Sequence, residues 1–255
     1  MRIFGLILLC LIAFLVTAVV KFPAAGVLPH VNIEPVKLSG VSGSVWNGSA
    51  QSVSAPELLF PVENVAWKAA PKTLLSGNAG AKIDFEILGG EGKGEGIVQR
   101  NLGGDVLIND GKFQIPASEL EQFLPLPVAQ FAGVLLADIE ELELENNLFK
   151  RTQGKLIWSN AEVVNTVRLG QVVFDVVPQG AQGEQHTGTL SNSGGQMELD
   201  GEIQLDQAGN YKADILIKPT AETPPQVSGI LDLVSRAASD GSYRIRNNGN
   251  INDFL

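Results

Sequence analysis

Cysteine is almost absent from this 255-residue chain. Cys10 is the single one, so no intrachain disulfide exists and the fold draws nothing from one. Histidine is nearly as scarce: His30 and His186 are far apart and have no cysteine partner, which excludes a zinc-ligand spacing. Basic clusters are missing too. Residues 22–255 carry 16 Lys and Arg against 28 Asp and Glu, a net charge of −12, in a chain of net charge −10. A nucleic-acid binder needs grouped Lys and Arg to neutralise phosphates, so that partner is not expected, and the same deficit argues against docking on an anionic lipid surface. No Gly-x-Ser-x-Gly elbow presents a nucleophile. Gly89-Gly90-Glu91-Gly92-Lys93-Gly94-Glu95-Gly96 lacks the Gly-Lys-[Ser/Thr] ending and the following helix of a phosphate loop, and reads as a hairpin tip. Glu140, Glu141, Glu143 and Glu145 read as a solvated strand face rather than a cation site. These patterns name no catalytic, cofactor-binding or metal-ligating residue, and the chain is expected not to be an enzyme and to need no cofactor.

Long apolar runs are rare, but one is present. Ile3 to Val20 holds no charge, and eighteen helical residues rise roughly 27 Å, enough to cross a hydrocarbon core of about 30 Å. Arg2 and the α-amine precede it and Lys21 follows, which favours an N-terminus on the cytoplasmic side. A retained anchor is therefore the expectation. A cleaved signal peptide is the alternative, with Val16-Thr17-Ala18 as a passable cleavage sequence. The expected organisation is a cytoplasmic tip and transmembrane anchor over residues 1–21, a first β lobe over 22–148 and a second over 149–255.

Past Pro23, short alternating runs are separated by Gly, Asn and Pro. Met197, Leu199, Ile203 and Leu205 alternate with Glu198, Asp200, Glu202, Gln204 and Asp206. After Ala208-Gly209-Asn210, Tyr211, Ala213, Ile215 and Ile217 do the same, completing a hairpin. Further strands are expected near 36–45, 50–54, 63–68, 79–88, 95–100, 105–112, 132–145, 154–158, 167–176, 188–190 and 243–246. In 132–145, Ile139, Leu142 and Leu144 interleave with Glu141, Glu143 and Glu145. Helix is scarce: a short one after Pro116, opened by a Ser118-x-x-Glu121 capping box, one over 71–75, and one over 227–238. The fold class is mainly β, an antiparallel domain made either of two related lobes or of one long curved sheet, as groove or sandwich. Gly43-Ser44-Val45-Trp46 and Gly154-Lys155-Leu156-Ile157-Trp158 look like echoes of one repeat. Trp46, Trp67 and Trp158 sit in or at the ends of apolar strands, which makes them core residues first and candidates for a groove or interface second.

The ordered phrases Gly43 to Ala50, Val65-Ala66-Trp67-Lys68-Ala69-Ala70-Pro71, Leu74-Leu75-Ser76-Gly77, Gly154 to Trp158 with Ala161, Gly209-Asn210-Tyr211, Ile230-Leu231-Asp232-Leu233 and Asp240-Gly241-Ser242-Tyr243-Arg244-Ile245 carry a resemblance. The chain resembles the protein N family of the type II secretion system (the GspN family of the general secretion pathway). That implies a non-catalytic, single-pass component of the cell inner membrane with its β domain in the periplasm, and other secretion-system components as partners in protein transport. In plan the chain is also similar to AsmA-like envelope proteins, which implies the alternative of an open β groove that binds or conducts lipid or other hydrophobic ligands.

Overall fold

The computed structural model describes residues 37–56, 58, 60–122, 130–145, 148–179 and 185–250. The expected anchor and His30 lie outside the described residues. Among the described residues, no helix is long and apolar enough to cross a membrane. The chain is mainly β, a 14-stranded antiparallel sheet in which the first two strands both pair with the third and every later strand follows its neighbour in sequence, with few helices. It divides into two compact units, Met1–Ile97 and Val98–Leu255.

The first unit contains β1 (Lys37–Ser39), β2 (Ser42–Gly43), β3 (Asn47–Ser54), β4 (Val62–Ala69), β5 (Asn78–Ile87) and the start of β6 (Gly92–Asn101). The single strand expected over 36–45 is two short ones, because Gly40 turns the chain at a φ of 62°. Ser44 to Asn47 then closes the tight β2–β3 turn, the Ser44 amide donating to the Asn47 carbonyl at 2.9 Å. Ala50, Val65 and Ile87 are buried. Only Leu88–Gly90 and Glu91 make the turn of the glycine-rich stretch. The rest is strand, with Gly92, Gly94 and Gly96 buried between exposed neighbours. For Gly94 the reason is steric: a Cβ there would collide with the ring of Phe85, just as one at Gly48 would lie 2.5 Å from the Trp67 ring. Aromatic rings take the space that side chains would occupy on the partner strand.

The second unit takes the remainder of β6 and β7 (Val106–Pro116), β8 (Phe131–Glu145), β9 (Leu148–Val163), β10 (Val167–Gln179), β11 (Gln185–Ser193), β12 (Met197–Asp206), β13 (Asn210–Pro219), α1 (Pro225–Val234) and β14 (Tyr243–Asn250). The expected hairpin is β12–β13. Asp206 closes it, its Oδ1 accepting from the amides of Ala208 and Asn210 at 2.9 Å each. The helix expected over 227–238 stops at Val234, since Ser235 is extended and Ala237 already bridges to Tyr243. The segment expected to open at Ser118 already begins at Ala117, so Ser118 lies inside its first turn. Glu121 accepts a hydrogen bond from the Phe131 amide at 2.9 Å, tying this short 3-10 segment, Ala117–Gln122, to the start of β8.

Positive-φ residues sit at the irregularities. Asn64, Asp110 and Asn160 have φ of 48°, 50° and 51°, a region that Asn and Asp tolerate better than most residues. Asn64 lies where the β4–β5 register shifts, and Asn160 where β9 shifts against β8 and β10. Asp110 and Glu140 are skipped in the β7–β8 register. The skip explains why apolar residues change from odd positions (Ile139) to even ones (Leu142, Leu144) while staying on one face, because an added residue reverses the side-chain phase. The expected repeat pair is not equivalent in local structure. Gly154 to Trp158 lies inside β9, whereas Trp46 precedes β3.

Candidate interaction surface

Strand registers place one apolar and one charged face on the second unit. Phe113, Ala137, Leu156, Phe174, Leu190, Gly201, Ile215 and Ile245 stand opposite one another across β7 to β14. The adjacent row on the same face runs Ile115, Leu135, Trp158 and Val172, and resumes at Leu199, Ile217 and Tyr243. This second row is the core. Val227 and Leu231 of α1 join Val172, Met197, Ile217 and Tyr243 in one buried cluster, and Tyr243 Oη donates to Asp232 Oδ1 at 3.0 Å. Burial, with the Asp232 carboxylate beside it, pushes the Tyr243 phenol up from its ordinary value. Asn192 interrupts the row as a satisfied pin: its Nδ2 donates to the carbonyls of Leu169 and Met197, and its Oδ1 accepts from the Leu199 amide. The first row is only half covered. Its members are half-buried, and Leu156 is 42% exposed.

The opposite face is a ladder of charge. Lys112, Asp138, Lys155, Asp175, Thr189, Glu202, Asp214 and Arg246 stand opposite one another in the same strand order. Lys155 reaches Asp175 at 3.1 Å. Arg244 holds both carboxylate oxygens of Asp214, at 2.6 and 2.8 Å, and Arg246 adds a third bond at 3.1 Å. The Arg244 guanidinium leads in holding the Asp214 carboxyl down to about 2, with Arg246 assisting. The glutamates expected on a solvated face are there: Arg151 pairs with Glu141 at 2.7 Å, and Lys150 bridges Glu143 and Glu145 at 3.1 and 3.2 Å. Opposite charges facing each other across strands fix register more than they add stability, because exposed pairs are each worth little.

Trp46 and Trp67 lie in the first unit and Trp158 in the second. Trp46 is 42% exposed, and its carbonyl accepts from the Ala69 amide at 2.7 Å. Trp67 is half-buried over Gly48, and its Nε1 donates to the Val45 carbonyl at 3.2 Å. Trp158 borders the core, its Nε1 donating to the Ala132 carbonyl at 2.9 Å and its ring meeting Phe131 edge-on at 5.8 Å. Sequence reasoning missed His186. Its neighbours read as a turn, yet it lies in β11 and is 1% exposed, with Nε2 3.4 Å from the Phe149 carbonyl and Nδ1 without a partner among the described residues. Burial lowers its pKa, against a smaller opposing effect of the Phe149 carbonyl. Alternation from Gly188 back to His186 was the available signal, since both positions share the apolar face. Among the described residues, no group of His, Cys, Asp and Glu is arranged to hold a metal ion.

Comparison with known proteins meets this geometry. Residues 34–246 match the family described as type II secretion system (T2SS), protein N. The type II secretion system protein N of Vibrio cholerae serotype O1 is 27% identical, covering 92% of this chain and 93% of its own. The protein of the same name from Aeromonas hydrophila is 25% identical over 95% of this chain and 96% of its own. No solved structure matches. The chain belongs to the type II secretion system protein N family and is a component of that protein-transport system.

Proposed function

We propose that the protein is a non-catalytic, single-pass inner-membrane component of the secretion machine, its β domain held in the periplasm by residues 3–20, and that it works by contact with other secretion proteins. The observation that carries this reading is the half-open apolar row from Phe113 to Ile245, with Leu156 exposed within it. Apolar side chains left uncovered in a row on an otherwise charged sheet are what a protein partner buries. The uncharged N-terminal run supports the membrane placement. The test is deletion of the gene with an assay of an exported hydrolase, combined with a photo-cross-linker at Leu156. Export should fall and Leu156 should capture a secretion component. Normal export with no such cross-link would sink the reading.

The same row favours a second reading, an AsmA-like surface that takes lipid chains, because half-buried aliphatic and aromatic side chains lie along it without interruption by charge. Lipid extracted with the purified full-length protein, identified by mass spectrometry and lost on Leu156→Asp, would select it over the first.

A further inference from the structure

We propose that the outer edge of β14, together with the end of α1, is a docking groove for an extended segment of another protein whose residues alternate between apolar and acidic. β14 is the last strand of the order and pairs with β13. In a strand, alternate residues turn both backbone groups to the same edge. Here the even-numbered residues face outward: the Ser242 carbonyl accepts from the Ala238 amide at 2.7 Å, and the Arg244 carbonyl from Ser235 Oγ at 2.8 Å. Among the described residues, no such backbone cover reaches Arg246 or Asn248. Among them the Asn248 amide donates to its neighbour's side chain, Asn247 Oδ1, at 2.9 Å, and no described strand lies outside Arg246. The edge is open for strand addition.

A second observation stands beside it. The buried face of α1 is Val227 and Leu231, yet Ile230, Leu233 and Val234 are also apolar, at 49%, 86% and 61% exposure. A helix that only covers a sheet has no use for this second apolar face. A groove of about 480 Å³ lined by Val234, Arg244, Ile245, Arg246 and Asn247 joins helix and edge.

The residues state the occupant's chemistry. A strand laid on β14 would set alternate side chains beside Ile245 and Val234 and the others beside Arg244 and Arg246. β14 carries two arginines and no acidic residue, in a chain of net charge −10, and both arginines share the single carboxylate of Asp214. An alternating apolar and acidic segment matches both faces. A second copy paired through its own β14 would bring arginine against arginine, which is repulsive. The proposal rests on the preceding function only in placing that segment in a secretion protein.

The test uses the full-length protein in detergent and a fluorescent peptide of alternating leucine and glutamate matched to β14 in length. The acidic peptide should bind and its leucine–lysine counterpart should not. Arg246→Glu and Leu233→Ser, both at exposed positions, should weaken capture by at least about tenfold. Asn248→Pro, which removes an outward amide and leaves the β13 pairing, should weaken it as well. Equal capture of both peptides, or unchanged capture by variants with wild-type circular dichroism, overturns the proposal. So does self-cross-linking through Leu233, which would make a second copy the occupant. Capture seen only after deleting residues 251–255 overturns it in favour of the chain's own tail. Capture with normal export in an Arg246→Glu strain keeps the groove and removes its secretion role. Export lost on gene deletion, with no capture, does the reverse.

Discussion

The ring of Phe174 lies across Gly188, diagonal to it on the neighbouring strand, so that a Cβ at Gly188 would come within 2.1 Å of the ring. Trp67 over Gly48 and Tyr211 over Gly249 crowd a glycine from the directly opposite position, and Phe85 also crowds Gly94. Glycine's use here is the room it leaves, and Gly188→Ala is expected to force the ring out of place at a cost of about 1–3 kcal/mol. Urea unfolding with and without Phe174→Ala checks this. The double variant should recover most of the loss caused by the alanine at 188, whereas two simply additive losses would show that the ring is not the obstacle.

Trp158 is bound at both ends, by its indole donor and by its apolar contacts. Trp158→Ala should destabilise by about 3–5 kcal/mol, through lost contacts and a cavity. Trp158→Phe keeps much of the ring and should lose less, its residual cost reflecting the orphaned Ala132 carbonyl. Tryptophan fluorescence and denaturant midpoints separate the two.

Acid should weaken the second unit through Asp214. Its carboxyl is held at about 2 in the folded chain, below the unfolded value near 4, so the folded state binds fewer protons in between. The stabilisation is therefore complete above about pH 4 and is lost as pH falls toward 2. Asp214→Asn should flatten that part of the stability–pH curve, and Arg244→Gln should flatten it in part. A wild-type slope in the Asn variant would rule the pairing out as the cause.

His186 acts through a different chemistry but with the same sign. Burial favours the neutral ring, so the unfolded chain takes up a proton before the folded one does. Stability is full above the unfolded value near 6.5 and declines as pH falls below it. His186→Leu, which also removes the unpartnered Nδ1, should make stability less dependent on pH between about 7 and 5. Thermal melts across that range decide it.

Much of the strand pattern was legible because most strands have one wet face. The β12–β13 hairpin, the glutamates of β8 and the short 3-10 segments Pro71–Ser76 and Ala117–Gln122 all followed from alternation and turn chemistry. What escaped was governed by single residues. Asn64, Asp110 and Asn160 look like ordinary polar strand residues until their positive φ is seen; Asn64 and Asn160 mark register slips and Asp110 a skipped pair, and alternation alone misreads all three. His186 escaped because a polar residue beside Gly and Gln resembles a turn, while its burial depends on strands far away in sequence. The apolar and charged faces could be anticipated strand by strand. Their alignment into continuous rows could not, because cross-strand register is a property of pairs.

Strand order in the second unit is also chain order, from β7 to β14. Each strand therefore meets a template already in place when it arrives, and no early strand has to wait for a distant one. A protein wired this way can be built progressively from its leading end, as a zipper closes. A stalled or truncated chain should then keep its completed hairpins while lacking the helix-capped core at the far end, where α1 packs.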